Sequence, residues 1–180
     1  MSNLKKQLQL TELLKEILSE VGDLANIKPY PYNYKGGGFF GWFHTEQGDK
    51  VRMFIEDLGD FRGQFNLPPV FNPNRNSIFQ VAYSVEDSHT QHRKTTYKEL
   101  AAILKTVVEF CKVAFEDIDR VFGDKPIFLI GSQSKHTEDY KPDPQKDALY
   151  KTIILKNLPS TYRTAEIDIN GKPVIVIQKK

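Results

Sequence analysis

The sequence predicts an α+β fold: a mixed, mostly antiparallel six-stranded sheet with helices on its faces, in the order α-β-β-β-α-β-α-β-β. Three observations carry that expectation. Three segments show apolar residues at helical spacing or begin on helix-start signals. The stretch Ser77 to Glu86 alternates with period two. Two short connections, at Gly48 and at Asn170-Gly171, have the chemistry of hairpin turns. With 180 residues, 39% of them hydrophobic and 27% charged, the chain can bury a core of its own, and wholesale disorder is excluded.

The elements follow in order. Leu10, Leu13, Leu14, Ile17, Leu18 and Val21 share one face of a first helix, with Glu12, Lys15, Glu16, Ser19 and Glu20 on the other, and Gly22 stops it. Residues 1–25 are thus read as an N-terminal amphipathic helix. Residues 26–38 are read as an extended aromatic arm, Tyr30-Pro31-Tyr32-Asn33-Tyr34, because two prolines disfavour helix there. Residues 39–180 form a single α+β domain. It opens with a hairpin, Phe39 to Thr45 and Lys50 to Asp57, turning at Glu46-Gln47-Gly48-Asp49. A long irregular stretch, 58–76, holds Pro68, Pro69, Pro73 and four asparagines.

In the strand Ser77 to Glu86, Phe79, Val81, Tyr83 and Val85 point one way and Gln80, Ala82 and Ser84 the other. Thr96-Tyr97-Lys98-Glu99 fits a capping box. It starts a helix whose wide apolar stripe runs from Leu100 to Phe115. Ile127 to Ile130 is a short apolar run suited to a strand buried on both faces. Asp143-Pro144 starts a third helix, ending before Pro159. Ala165 to Ile169 and Val174 to Gln178 then flank Asn170-Gly171 as a closing hairpin.

Several function classes are excluded. One cysteine, Cys111, permits no intrachain disulfide and no Cys-rich zinc site, and its helical stripe makes it a buried small hydrophobe. No Gly-x-Ser-x-Gly elbow and no Walker loop is present. No apolar run approaches the ~20 residues of a membrane span, and Met1 to Leu10 has no signal-peptide core. A soluble protein, cytoplasmic or, if phage-encoded, carried in the virion, is expected. The formal charge of +2 argues against a nucleic-acid coat, although the first ninety residues carry −2 and the last ninety +4.

The meander, helix, buried strand, helix and final hairpin resemble the core order of the GNAT acetyltransferase superfamily. Asp147-Ala148-Leu149-Tyr150 is similar to that family's last helix. The resemblance implies an acyltransferase in which Tyr150 is the general acid toward the coenzyme A thiolate. The family's Gly-rich pyrophosphate loop is missing: 87–96 contains no glycine. More loosely, the chain is similar to small proteins of tailed bacteriophages. The opening helix leading into Asn26-Ile27-Lys28-Pro29-Tyr30 and the Asn-Gly hairpin carry that likeness.

Two sets of candidate residues emerge. His89, His92, Arg93 and Lys94 after the third strand, with Ser132, Lys135 and His136 after the fourth, could hold an anion. Tyr30, Tyr32 and Tyr34, with Phe61, Phe65 and Phe71, offer aromatic anchors to a protein partner. Lys35 to Phe43 interleaves glycine with aromatics faintly as an RNA-stacking strand does. Phe39, Phe40, Trp42 and Phe43 are nevertheless read as packed between the sheet and the first helix. No metal site and no cofactor is expected. The leading expectation is a non-enzymatic interaction or structural protein, phage-encoded and virion-associated, whose partners are other subunits, its own copies or virion components. A divergent acyltransferase and an anion or nucleotide-binding module are the alternatives.

Overall fold

The computed structural model describes residues 3–59, 65–71, 77–86, 96–131 and 144–180. The elements are α1 (Asn3–Val21), β1 (Tyr32–Lys35), β2 (Phe40–His44), β3 (Lys50–Asp57), β4 (Ile78–Glu86), α2 (Tyr97–Phe122), β5 (Ile127–Gly131), α3 (Pro144–Asn157), β6 (Tyr162–Ile169) and β7 (Lys172–Lys179). The fold is α+β, with one mixed sheet ordered β1-β2-β3-β4-β5-β7-β6. Only β4 and β5 run parallel; every other neighbouring pair is antiparallel.

Seven strands, not six, are present among the described residues. The additional one is β1, which lies in the segment expected to be a free arm. A single tight turn at Gly36–Gly38 and a left-handed Phe39, φ 48°, fold the chain back so that Tyr32 to Lys35 pair with Phe43 to Phe40. Four residues beside two prolines give little local strand signal. The pairing is decided across the sheet.

Alternation then sorts the side chains. Phe43, Val51, Met53, Phe79, Val81, Phe128, Ile130, Ile175 and Ile177 point to one face and form the main core with α1, α2 and α3. The three helices therefore share one face instead of covering both. Ile78, Ile127, Leu129, Val174 and Val176 point to the other face. There Leu58, Phe71 and the half-buried Phe65 and Leu67 close a smaller core. Each large side chain buried in this way contributes roughly 1.5–3 kcal/mol. The central strand β5 is buried on both faces, as its unbroken apolar run requires.

Local chemistry fixes the ends. Thr96 Oγ1 accepts from the Glu99 N–H at 3.2 Å, and a left-handed Gly123, φ 65°, closes α2. Asp124 accepts from both the Ser77 N–H (2.8 Å) and the Ser77 hydroxyl (3.0 Å), tying the end of α2 to the start of β4. Asn170 and Gly171, both at positive φ, make the β6–β7 turn.

Candidate functional site

The candidate anion-binding residues His89, His92, Arg93, Lys94, Ser132, Lys135 and His136 all lie outside the described residues. Their anchors are described. β4 and β5 are parallel and pair over Ile78–Val81 and Ile127–Ile130, so both loops leave from the carboxyl ends of neighbouring strands. Beyond Val81, β4 continues to Glu86, paired among the described residues with β3.

Tyr150, on α3, lies near Tyr83 of β4. It is 4% exposed on the sheet-facing side of α3, and its hydroxyl has no hydrogen-bond partner among the described residues. Burial raises its pKa well above the usual phenol value, and the nearby Tyr83, Cys111 and Asp147 raise it further. Tyr83, on β4, is pushed up to about 12 by burial. Two phenols held in the protonated form thus neighbour one another between β4 and α3. A cleft of about 620 Å³ opens at the same end of the sheet as the start of α2. It is lined by Asp23, Lys28, Glu46, Thr96 and Lys98 among others. Its charges are mixed, so it shows no preference for an anion.

Five of the six aromatic candidates for a partner lie among the described residues, and these five pack against the fold's own cores. Tyr30 stacks on Phe43 (centroids 5.4 Å apart), and its N–H donates to Thr106 Oγ1 at 2.8 Å. The Tyr32 hydroxyl donates to the Glu109 carbonyl at 3.2 Å, and the Tyr34 hydroxyl to Asp117 Oδ2 at 2.7 Å. All three lean on α2. Their periodicity of two, useful for a partner, serves equally to dock a strand on its own helix. Phe71 is buried, Phe65 half-buried against the smaller core, and Phe61 lies outside the described residues.

A correction applies to β2. Phe43 is 1% exposed and faces the helices, and Phe39 packs against the same core. Phe40 and Trp42 point the other way, to the face that carries no described helix. Phe40 is 43% exposed and lies 5.9 Å from Trp42, the planes inclined by 26°. The register sets Lys35, Phe40, Phe54 and Ala82 in one row of this face, and Asn33, Trp42, Arg52 and Ser84 in the next. His44, Lys50 and Glu86 follow. Lys50 Nζ stands 5.9 Å from the Trp42 ring centroid, within cation–π reach. Arg52 pairs with Glu86 at 2.7 Å, both largely exposed. The sequence carried the signal for this patch: strict alternation along Phe40–His44 puts Gly41 and Phe43 on one side and both remaining aromatics on the other.

Elsewhere the chemistry is quiet. Burial pushes the Cys111 thiol far up, away from the reactive thiolate. Among the described residues no group of His, Cys, Asp and Glu is arranged to hold a metal ion, and no helix is long and apolar enough to cross a membrane. No protein-family model, no curated protein and no solved structure matches the chain.

Proposed function

We propose that this chain is a non-enzymatic interaction protein whose binding surface is the face of β1 to β4 that carries no described helix. The observation that carries this reading is the exposed Phe40 stacked beside the half-buried Trp42 on a sheet face flanked by Lys35, Lys50 and Arg52. Large aromatic rings left half in water, in contiguous rows, are costly unless something covers them. Tyr30, Tyr32, Tyr34, Phe65 and Phe71, first expected to anchor a partner, pack against the fold's own cores, so the proposed surface moves while the class of function stays. Virion association rests on the sequence resemblance alone.

The test is retention. The chain is immobilised and exposed to an extract of the cells that encode it, beside a Phe40→Ser/Trp42→Ser variant with the same circular dichroism. The wild type is expected to hold a component that the variant releases. Equal retention by both, or none by either, overturns the reading.

A divergent acyltransferase is the second reading. It is favoured by the buried Tyr150 hydroxyl, which has no hydrogen-bond partner among the described residues and lies near Tyr83 on β4. A protonated phenol there could supply a proton to a leaving thiolate. Calorimetry with acetyl-CoA, on the wild type and Tyr150→Phe, decides it. Absence of heat at millimolar ligand removes this reading.

A further inference from the structure

Resting on that reading of the β1–β4 face, we infer that its ligand is single-stranded nucleic acid, with bases stacked on Phe40, Trp42 and Phe54 and phosphates held by Lys35, Lys50 and Arg52. The three rings lie on one face of neighbouring strands, Phe40 exposed and Trp42 and Phe54 half-buried: Phe40 is paired directly with Phe54, and Trp42 is two residues along from Phe40. Rings set in this way offer flat apolar platforms at successive positions, which unpaired bases of any sequence can use.

Charge selects the ligand. Lys35 is in register with Phe40, Arg52 with Trp42, and Lys50 reaches over the Trp42 ring. Against these three cations stand Glu86, which holds Arg52, and Glu56 at the margin of the face. The Arg52–Glu86 pair is solvent-exposed on both sides and therefore weak, so a phosphate can compete for the guanidinium. Asn33 and Ser84, in the Trp42 row, add polar groups able to meet base edges or sugar hydroxyls.

Protein partners fit this face less well. The centre of a protein interface is depleted in lysine, whereas here lysines stand among the rings. A second copy docked face to face would bring the same cations toward one another. A duplex would present paired, stacked bases that cannot lie on the rings, so the strand must be single. The near-neutral charge of the whole chain does not oppose this, because the cations need only be local.

Trp42 is the only tryptophan, so its fluorescence reports on the platform directly. Titration with a 20-nucleotide oligo(dT) or oligo(U) at low salt is expected to quench it, while a duplex of equal length leaves it unchanged. With three phosphate-facing cations, the logarithm of the binding constant should fall against the logarithm of salt with a slope of about −2. Phe40→Ser and Lys35→Glu, both at exposed positions, should each weaken binding by about tenfold with unchanged circular dichroism. Unquenched Trp42 at excess oligonucleotide, or unchanged affinity in both variants, overturns the inference. If the same face retains a protein from the extract while oligonucleotides leave Trp42 unquenched, the nucleic-acid assignment falls and the binding surface stands.

Discussion

At the scale of single residues, Gly41 shows how closely the β1–β2 ribbon is fitted. A Cβ added there would lie 2.6 Å from the Asn33 carbonyl oxygen and 3.3 Å from both Met53 Cε and Phe110 Cδ2. The constraint is close approach of β1 and α2, not an unusual turn. Gly41→Ala should therefore lose about 1–3 kcal/mol of stability, read from urea unfolding, by forcing β1 outward. A midpoint equal to the wild type would show that β1 is not held where the fold places it. Cys111 gives a second expectation. Its thiol is buried and its pKa raised by burial, so a thiol-specific reagent at pH 8 should label it only after denaturation. Rapid labelling of the native chain would contradict its position in the core.

At the scale of elements, α2 is the support to which the rest is fastened. It is 26 residues long and presents a broad buried face to the sheet. It also holds the segment before β1 through polar contacts. Thr106 Oγ1 accepts from the Tyr30 N–H and donates to the Ala102 carbonyl, and Lys105 Nζ donates to the Leu24 and Ile27 carbonyls. Thr106→Val keeps the volume and removes the hydroxyl. It should cost about 1–3 kcal/mol and speed amide exchange in 30–35 before any other strand. Uniform exchange across the sheet in that variant would mean that β1 does not depend on α2. At the N-terminus of the same helix, Thr96→Ala should cost about 1 kcal/mol, seen as a lower thermal midpoint, because the Glu99 N–H loses its cap.

At the scale of the whole molecule, five tyrosines set the alkaline limit. Tyr32, Tyr34, Tyr83, Tyr150 and Tyr162 all have raised pKa values, with burial the first cause in each. Tyr34 and Tyr162 also donate to Asp117 and Glu116. Above pH 10 the unfolded chain releases phenolic protons that the folded chain keeps, so fewer protons are bound when unfolded and stability falls as pH rises. The urea midpoint should be unaffected by these groups below about pH 10, then fall steeply toward pH 12, where Tyr83 titrates. Tyrosinate absorbance should rise together with unfolding. Ionisation of all the tyrosines near pH 10 in a chain still folded would falsify their burial.

The sequence by itself determined the elements whose signals are local. The capping box at Thr96, the Asn170-Gly171 turn, the alternation of β4 and the apolar run of β5 each involve neighbours within a few residues, and each element lies where those neighbours place it. Tertiary structure decided what depends on distant residues. Tyr30, Tyr32 and Tyr34 offer aromatic rings to a partner in the sequence, and α2, more than seventy residues away in the chain, supplies hydrogen-bond partners within the fold. Phe40 and Trp42 read as core until all three helices settled on the opposite face. A period-two pattern says that two faces differ; it does not say which one meets water, because that depends on where the helices pack. The candidate surface was therefore written in the alternation of β2, and only the side taken by the helices made it a surface.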